Sequence, residues 1–208
     1  MTKLQEKVKN YFKKRKTVSI ILDFLFYLII LSFLIPGTRK TVLPFFMRAV
    51  LHPPLKKIST APTQKVSDKD FQWPLEKMDG SVVKLDRFRN EVLFINLWAT
   101  WCPPCRAEMP SIQKLYDDYG DKVRFLMIVH DNPGSIRNFI RDNHYTFPVY
   151  LQKYEAPEVF STNSIPTTFI VDSRGNIVLK HKGASKWNSR KIRRLLDELL
   201  REKGNNSP

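Results

Sequence analysis

Residues 92–105 read Val-Leu-Phe-Ile-Asn-Leu-Trp-Ala-Thr-Trp-Cys-Pro-Pro-Cys, and they decide the fold of this chain. The first seven are apolar except for Asn96, a pattern typical of a central strand that is covered on both faces. Proline favours the first helical positions, so a helix is predicted to begin at Pro103, with Cys102 at its N-terminus. Cys105 then lies one turn further in, on the same face. The sequence therefore predicts two neighbouring thiols at the end of a buried strand.

Cys102 and Cys105 are the only cysteines of the chain, and their positions assign them different roles. Unpaired backbone N–H groups and the positive end of the helix dipole favour a thiolate at the helix N-terminus. Cys102 is therefore the predicted nucleophile. Cys105 can attack the sulfur of Cys102 once a mixed disulfide has formed, which makes it the predicted resolving thiol and the pair a redox-active disulfide.

Three other uses of a closely spaced cysteine pair agree less well with the sequence. A structural zinc site needs four ligands, and the chain has no second cysteine pair. Covalent haem attachment needs histidine directly after the second cysteine, where this chain has Arg106. A purely structural disulfide between residues so close in sequence closes too small a loop to stabilise the fold much. Redox chemistry without a metal or another cofactor is the favoured interpretation.

The N-terminal part of the chain is predicted to anchor it in a lipid bilayer. Residues 18–36 form an apolar run with one charge, Asp23, and such a run is long enough to be a transmembrane helix. Residues 1–17 are strongly basic, so the positive-inside rule puts them in the cytoplasm and the catalytic domain across the inner membrane, in the periplasm or an equivalent space. A dithiol can cycle between its two redox states there. A cleavable signal peptide is the alternative, but no small-residue cleavage site follows the run.

The formal net charge of +15 raises the question of a nucleic-acid partner. Residues 1–17 supply a large share of the positive charge, which the membrane orientation already explains. A second basic cluster lies in the last predicted helix, between Arg190 and Lys203, and is typical of a solvated helix face. We therefore expect no nucleic-acid partner.

One folded domain is predicted over residues 70–203, between a tether at 37–69 and a disordered tail at 204–208. Asp79-Gly80 predicts the turn of an N-terminal β-hairpin extension. Apolar strands then alternate with amphipathic helices, and a terminal hairpin and helix follow, so the fold class is α/β, a mixed central sheet flanked by helices. The predicted strands are 92–98, 125–129, 168–172 and 177–182, and the predicted helices are 103–119, one ending near Asn143, a short one at 157–160, and 188 to about 203.

Three separated motifs carry a resemblance to a known family. They are residues 94–110, which contain the cysteine pair, Phe147-Pro148-Val149, and residues 164–172, Ser-Ile-Pro-Thr-Thr-Phe-Ile-Val-Asp. In this order they strongly resemble the motifs of TlpA-like (ResA/TlpA-type) proteins, which are membrane-anchored proteins with a thioredoxin fold. The resemblance covers about residues 71–200. It implies a thioredoxin fold and thiol-disulfide oxidoreductase activity.

The resemblance also implies a substrate-binding surface beside the cysteine pair. Pro166 is implied to follow a cis peptide bond and to face the dithiol, while the backbone of Ile165 pairs with a substrate segment as a short strand would. From the residues alone, an X-Pro bond before a strand is a plausible cis site, and an ordinary trans proline is the alternative. Trp101, beside Cys102, is expected to shape the docking surface.

Glu108 is implied to be a partly buried acid near the cysteines. Helical spacing puts it three residues past Cys105, within reach of that thiol. A carboxylate whose pKa is raised by burial could accept the proton that Cys105 loses before its attack. The alternative is a surface glutamate, which the first turns of a helix also favour. The thioredoxins proper carry an acid on the strand where this chain has Asn96, which cannot take a proton.

We expect a membrane-tethered thiol-disulfide oxidoreductase that reduces disulfides of extracytoplasmic client proteins, and the resemblance implies a role in cytochrome c maturation. The two prolines between the cysteines lack backbone N–H groups, so the Cys102 thiolate has fewer hydrogen-bond donors, which favours a reductant. A membrane thiol reductase is the implied electron donor. The alternatives are a dithiol oxidase or isomerase, and a non-catalytic membrane-tethered Cu(I)-binding module.

Overall fold

The structure is a computed structural model, and the residues that it describes are 17–34 and 64–205. They fall into two units, one within Met1–Leu43 and the other within Pro44–Pro208. The described part of the N-terminal unit is a helix, and the described part of the second unit is an α/β domain that contains the cysteine pair.

Helix α1 of the N-terminal unit spans Thr17–Leu34. It has 18 residues. Among the described residues, no helix has both the length and the apolar character needed to cross a membrane. The transmembrane helix predicted at 18–36 is therefore not found within them, and residues 1–16 and 35–63 of the predicted basic segment, anchor and tether lie outside them.

Eight strands of the described domain form one mixed sheet. The strands are β1 (Gln64–Lys65), β2 (Pro74–Lys77), β3 (Val82–Lys84), β4 (Val92–Trp98), β5 (Val123–Val129), β6 (Val149–Leu151), β7 (Thr167–Val171) and β8 (Asn176–Lys182). Their order across the sheet is β1-β8-β7-β4-β5-β6-β2-β3. β4 pairs in parallel with β5 and antiparallel with β7, so the two kinds of pairing meet at the strand that precedes the cysteines.

β4 is the buried central strand that the sequence predicts, with the predicted bounds. Each of its residues is buried. On one face, Phe94 stacks with Phe125 of β5 at 4.9 Å between ring centroids. On the other face, Ile95 belongs to a separate apolar cluster. Because side chains alternate along a strand, Asn96 shares the face of Phe94.

Within residues 64–205, four helices accompany the sheet, and they are α2 (Asp68–Phe71), α3 (Pro103–Tyr119), α4 (Pro133–Asp142) and α5 (Arg190–Asn205). Apolar side chains of α3, α4 and α5 pack into the cluster that contains Phe94. The opposite cluster is completed by α2, by the β2–β3 hairpin and by two short 3-10 turns, Leu85–Phe88 and Glu158–Phe160. The predicted α/β fold with a mixed central sheet and an N-terminal hairpin is confirmed.

The domain includes short elements that the sequence does not predict. β1 pairs antiparallel with β8, and the N–H of Val66 donates to the carbonyl oxygen of Gly175 at 2.8 Å. These contacts tie residues 64–69 to the domain, although the sequence assigns them to the tether. β6 pairs with both β5 and β2, and it thereby joins the hairpin to the sheet. At the other end, α5 includes Gly204 and Asn205, which the sequence assigns to the tail.

Candidate active site

The cysteine pair lies at the junction of β4 and α3. β4 ends at Trp98, and Cys102 is the N-cap residue of α3. Cys102 and Cys105 form a disulfide, with 5.3 Å between their Cα atoms. The backbone N–H of Cys105 donates to the Sγ of Cys102 at 3.2 Å. The structure thus brings the two cysteines together at a helix N-terminus, as the sequence predicts.

The residues around the disulfide differ in their accessibility. Cys102 is 3% exposed and Cys105 is fully buried. Trp101, which precedes Cys102, is 66% exposed. An incoming disulfide can therefore reach Cys102 before Cys105, and the indole of Trp101 offers an aromatic surface next to it.

The loop before β7 contacts Cys102. Because Leu97 near the end of β4 pairs antiparallel with Thr167 at the start of β7, the residues before β7 lie beside the disulfide. The Ile165–Pro166 peptide bond is cis. The carbonyl oxygen of Ile165 lies 3.9 Å from the Sγ of Cys102. The cis bond and its position agree with what the family resemblance implies.

Glu108 is fully buried. Its Oε1 accepts a hydrogen bond from the Nδ2 of Asn96 at 2.9 Å. Its Oε2 accepts two hydrogen bonds, from the backbone N–H of Ser185 at 3.0 Å and from the indole N–H of Trp187 at 2.7 Å. The carboxyl group of α3 is therefore held by β4 on one side and by the segment between β8 and α5 on the other. The alternative of a surface glutamate is wrong.

Burial raises the pKa of Glu108 to about 8. The hydrogen bonds from Trp187, Asn96 and Ser185 favour the carboxylate and lower the pKa, but the loss of hydration outweighs them. At neutral pH the side chain is therefore mostly a neutral carboxylic acid. It ionises in the pH range in which ordinary thiols also ionise.

Asn96 connects Glu108 to β7. Its Nδ2 donates to Glu108, and it also donates to the Oγ1 of Thr168 at 2.8 Å. The side chain is fully buried, and its Oδ1 has no hydrogen-bond partner. The amide thus links strand, helix and neighbouring strand at the level of the cysteines, and one of its polar atoms is unsatisfied.

Trp187 is a functional candidate that the sequence interpretation missed. It is fully buried in the segment between β8 and α5, and its backbone N–H donates a hydrogen bond to the Oγ of Ser111 at 3.0 Å. Its ring packs edge-on against Phe94 at 5.3 Å and against His181 at 5.6 Å. The one signal in the sequence is a tryptophan within an otherwise polar connection, and that signal does not name its partner.

An open cleft of about 610 Å³ adjoins Trp101. His130 and Asp131, which follow β5, line it, and the hydroxyl of Thr100 is hydrogen-bonded to Asp131. The cleft extends the surface that an incoming protein could contact beside the disulfide. Among the described residues, no group of three or more metal-ligating side chains could hold a metal ion.

The profile of the family described as Redoxin matches residues 59–199. The thiol-disulfide oxidoreductase ResA of Bacillus thuringiensis subsp. konkukian (strain 97-27) is 31% identical over 109 residues, which are 51% of this chain and 63% of that protein. The thioredoxin-like protein YneN of Bacillus subtilis (strain 168) is 32% identical over 115 residues, which are 53% of this chain and 68% of that protein. The chain thus spans a little under two thirds of the ResA protein and slightly more of YneN.

A solved structure has the same fold. The crystal structure of a thiol:disulfide interchange protein, thioredoxin family protein, from Chlorobium tepidum matches with a TM-score of 0.53 and 23% sequence identity. The match covers 68% of this chain and 99% of that chain. The described domain therefore has a thioredoxin fold.

We predict that replacing Glu108 by glutamine removes a pH dependence of stability. The folded-state pKa of about 8 lies above the ordinary value of 4.5, so the folded protein binds this proton more tightly than the unfolded chain does. The resulting stabilisation is complete at pH values below 4.5 and is lost as the pH rises through about 8. Its slope is at most ~1.4 kcal/mol per pH unit.

The free energy of unfolding of the parent protein should therefore fall relative to that of Glu108→Gln as the pH rises through this range. Urea unfolding of the parent protein and of Glu108→Gln, each with its disulfide formed, at several pH values measures the difference. Glu155→Gln, at an exposed position, is the matched control and should leave the slope unchanged. Parallel pH profiles for the parent and Glu108→Gln would show that the pKa of Glu108 is not raised.

Proposed function

The chain belongs to the Redoxin family, and from this premise we propose that it is a thiol-disulfide oxidoreductase that reduces disulfides of other proteins. The observation that carries the proposal is the arrangement around one helix N-terminus. A disulfide-forming pair, Cys102 and Cys105, has the carbonyl of Ile165 on its outer side and a buried acid, Glu108, one turn further along the helix. The name of its relative ResA, a thiol-disulfide oxidoreductase, supports this class of activity, and YneN is named a thioredoxin-like protein.

The proposed reaction is a two-step thiol-disulfide exchange. The Cys102 thiolate attacks one sulfur of the client disulfide, forms a mixed disulfide and releases the first client thiolate. The Cys105 thiolate then attacks the Sγ of Cys102, which releases the second client thiolate and leaves the disulfide between Cys102 and Cys105. Two electrons pass from the dithiol to the client, and the order of attack follows the accessibility of the two residues.

The client is proposed to bind along the loop before β7. The carbonyl oxygen of Ile165 lies 3.9 Å from the Sγ of Cys102, so a client segment that pairs with Ile165 would bring its own cysteine next to Cys102. Pro166 fixes this loop, because its carbonyl oxygen accepts a hydrogen bond from Gly183 at 2.8 Å. The exposed ring of Trp101 would cover the client segment from the other side of the disulfide.

Glu108 is proposed to accept the proton that Cys105 loses. It follows Cys105 by one helical turn, and it is buried on the same side of the sheet. A pKa of about 8 lies close to that of an ordinary thiol, so a proton can pass between the two groups with little change in free energy. The solvent cannot easily serve this purpose, because Cys105 is fully buried.

The proposed direction of electron flow is reduction of the client. A thiolate that the protein stabilises strongly makes an oxidant, and one that it stabilises weakly makes a reductant. The Sγ of Cys102 receives one backbone hydrogen bond, from Cys105, while Pro103 and Pro104 have no N–H to offer. This poor supply of donors supports a reductant over a dithiol oxidase.

The proposed place of action is the outer side of the inner membrane. The support is the sequence of residues 1–36, in which a basic segment precedes an apolar run. Exported proteins that carry disulfides, apocytochrome c among them, would be the clients there. A membrane thiol reductase would restore the dithiol. The resemblance to TlpA-like proteins supports this choice of client and donor.

We predict that Cys105→Ser accumulates a mixed disulfide through Cys102. The variant can complete the first attack, but it has no thiol to resolve the product. The reduced variant is incubated with insulin whose disulfides are intact. Mass spectrometry under non-reducing conditions then measures the adduct. Cys102→Ser is the matched control and should trap much less. A folded Cys105→Ser protein that forms no adduct, or a parent protein that binds Cu(I) tightly without turning over insulin, would contradict the proposed function.

We predict that Glu108→Gln slows the second attack by roughly a hundredfold near pH 8, where about half of the parent's Glu108 is ionised, because glutamine cannot accept the proton of Cys105. Cys102 is first loaded with a chromogenic aryl thiol as a mixed disulfide, and stopped-flow absorbance then records the release of that thiol. The parent rate should rise as Glu108 ionises near its pKa of about 8, whereas the variant rate should follow only the ionisation of Cys105. Glu155→Gln serves as the control. Equal rates and pH profiles would remove Glu108 from the mechanism.

We predict that Pro104→Ala makes the disulfide more oxidising. Alanine adds a backbone N–H at the second helical position, where it can donate to the N-cap sulfur of Cys102. One hydrogen bond to a thiolate should raise the reduction potential by roughly 30 mV. Equilibration with glutathione buffers measures the potential. Pro110→Ala, deeper in the same helix, should leave it unchanged, and an unchanged potential in Pro104→Ala would refute the argument from the missing donors.

A further inference from the structure

The unsatisfied oxygen of Asn96 reflects how hydrogen bonds are shared around Glu108. The Nδ2 of Asn96 donates both to the Oε1 of Glu108, at 2.9 Å, and to the Oγ1 of Thr168, at 2.8 Å. Its Oδ1 is buried and has no partner. An amide in this orientation has a donor where a carboxylate needs one, so the arrangement suits the ionised form of Glu108.

The two oxygens of Glu108 differ in whether they can carry a proton. Oε2 accepts from the backbone N–H of Ser185 and from the indole N–H of Trp187. Both groups can only donate, and neither can become an acceptor. A proton placed on Oε2 would therefore point toward two donor hydrogen atoms and would have no acceptor. When Glu108 is protonated, the proton must lie on Oε1.

A proton on Oε1 needs an acceptor, and the amide of Asn96 contacts Oε1. A half turn of that amide replaces Nδ2 by Oδ1, which can accept from the protonated Oε1. Thr168 can follow, because a hydroxyl both donates and accepts, and it would then donate to Oδ1. Nδ2 would take the position without a partner, so each orientation leaves one polar atom of the amide unsatisfied.

We propose that Asn96 is a positioning residue whose side-chain amide rotates by half a turn when Glu108 gains or loses its proton. In one orientation it donates to the carboxylate, and in the other it accepts from the carboxylic acid. Its importance for turnover rests on the proposed function, in which Glu108 exchanges a proton with Cys105. The turn lets Glu108 keep a hydrogen bond on Oε1 in both states, which the fixed donors Ser185 and Trp187 cannot provide.

The titratable groups on the elements around Glu108 are few, and they can be followed separately. Cys105 on α3 is held in the disulfide, and Arg106 on α3 lies over the ring of Phe139. His181 on β8 packs against the ring of Trp187, and Lys186 lies between Ser185 and Trp187 in the chain. β4 and β7 carry no ionisable side chain. The titration of His181 must therefore be recorded beside that of Glu108.

Nuclear magnetic resonance of the full chain in its disulfide form tests the proposal without any client. The carboxyl carbon of Glu108, the ring of His181 and the side-chain amide protons of Asn96 are followed from about pH 5 to about pH 10, on either side of the expected ionisation. We expect nuclear Overhauser contacts between the amide protons of Asn96 and the side chain of Thr168 at high pH. As the pH is lowered, these contacts should be lost with the titration midpoint of Glu108 and not with that of His181.

Glu108→Gln provides the matched variant, because its oxygen can replace Oε2 and its NH₂ group can replace the protonated Oε1. The amide of Asn96 should then accept at every pH, and its contacts to Thr168 should be absent throughout. The proposal would be overturned if the contacts persist in the parent protein while Glu108 titrates. It would also be overturned if the contacts of the Asn96 amide change with pH in Glu108→Gln. An amide that turns in a protein unable to reduce insulin would support this inference and refute the proposed function, so the two are tested separately.

Discussion

The burial of one carboxyl group organises this active site. Glu108 sits in the apolar layer between β4 and α3, where an unpaired polar group is costly. Its donors must come from parts of the chain that are far apart in sequence, Asn96 on β4 and the Ser185–Trp187 segment after β8. Together these three bonds hold two parts of the chain, β4 and the segment after β8, against α3. Since Cys105 lies one turn earlier on the same helix, the bonds that satisfy the carboxyl group also fix the position of the disulfide.

The start of α3 and the part of the helix two turns further along have opposite requirements for exposure to solvent. In the proposed exchange reaction Cys102 must be reached by another protein, and it lies at the helix N-terminus beside the exposed ring of Trp101 and the carbonyl of Ile165. Glu108 must be kept from water, because it is the loss of hydration that raises its pKa to about 8. A helix that begins at the surface and runs into the core meets both requirements within two turns. Cys105 lies between them, close to the surface thiol and shielded with the acid.

The sequence predicts the local part of this arrangement and misses the part made by distant segments. The bounds of β4 and α3 follow from an apolar run and from two prolines, which act through their neighbours in the chain. Helical spacing likewise places Glu108 near Cys105. β1 and β6 are too short to show a pattern of their own, and they exist because β8, β5 and β2 offer edges to pair with. Trp187 is missed for the same reason, since its partners on β4 and α3 lie about eighty residues or more earlier.

The residue type at position 96 determines whether Glu108 titrates as a single site or as one member of a coupled pair. An acid on this strand, as in the thioredoxins proper, would stand where the Nδ2 of Asn96 now lies, 2.9 Å from the Oε1 of Glu108. Two carboxyl groups at that distance share one proton, and their titrations merge into steps that belong to the pair. An amide contacts the same oxygen without adding an ionisable group. Glu108 then ionises as a single site whose pKa is raised by burial. Under the proposed mechanism, it is one proton acceptor for one resolving thiol.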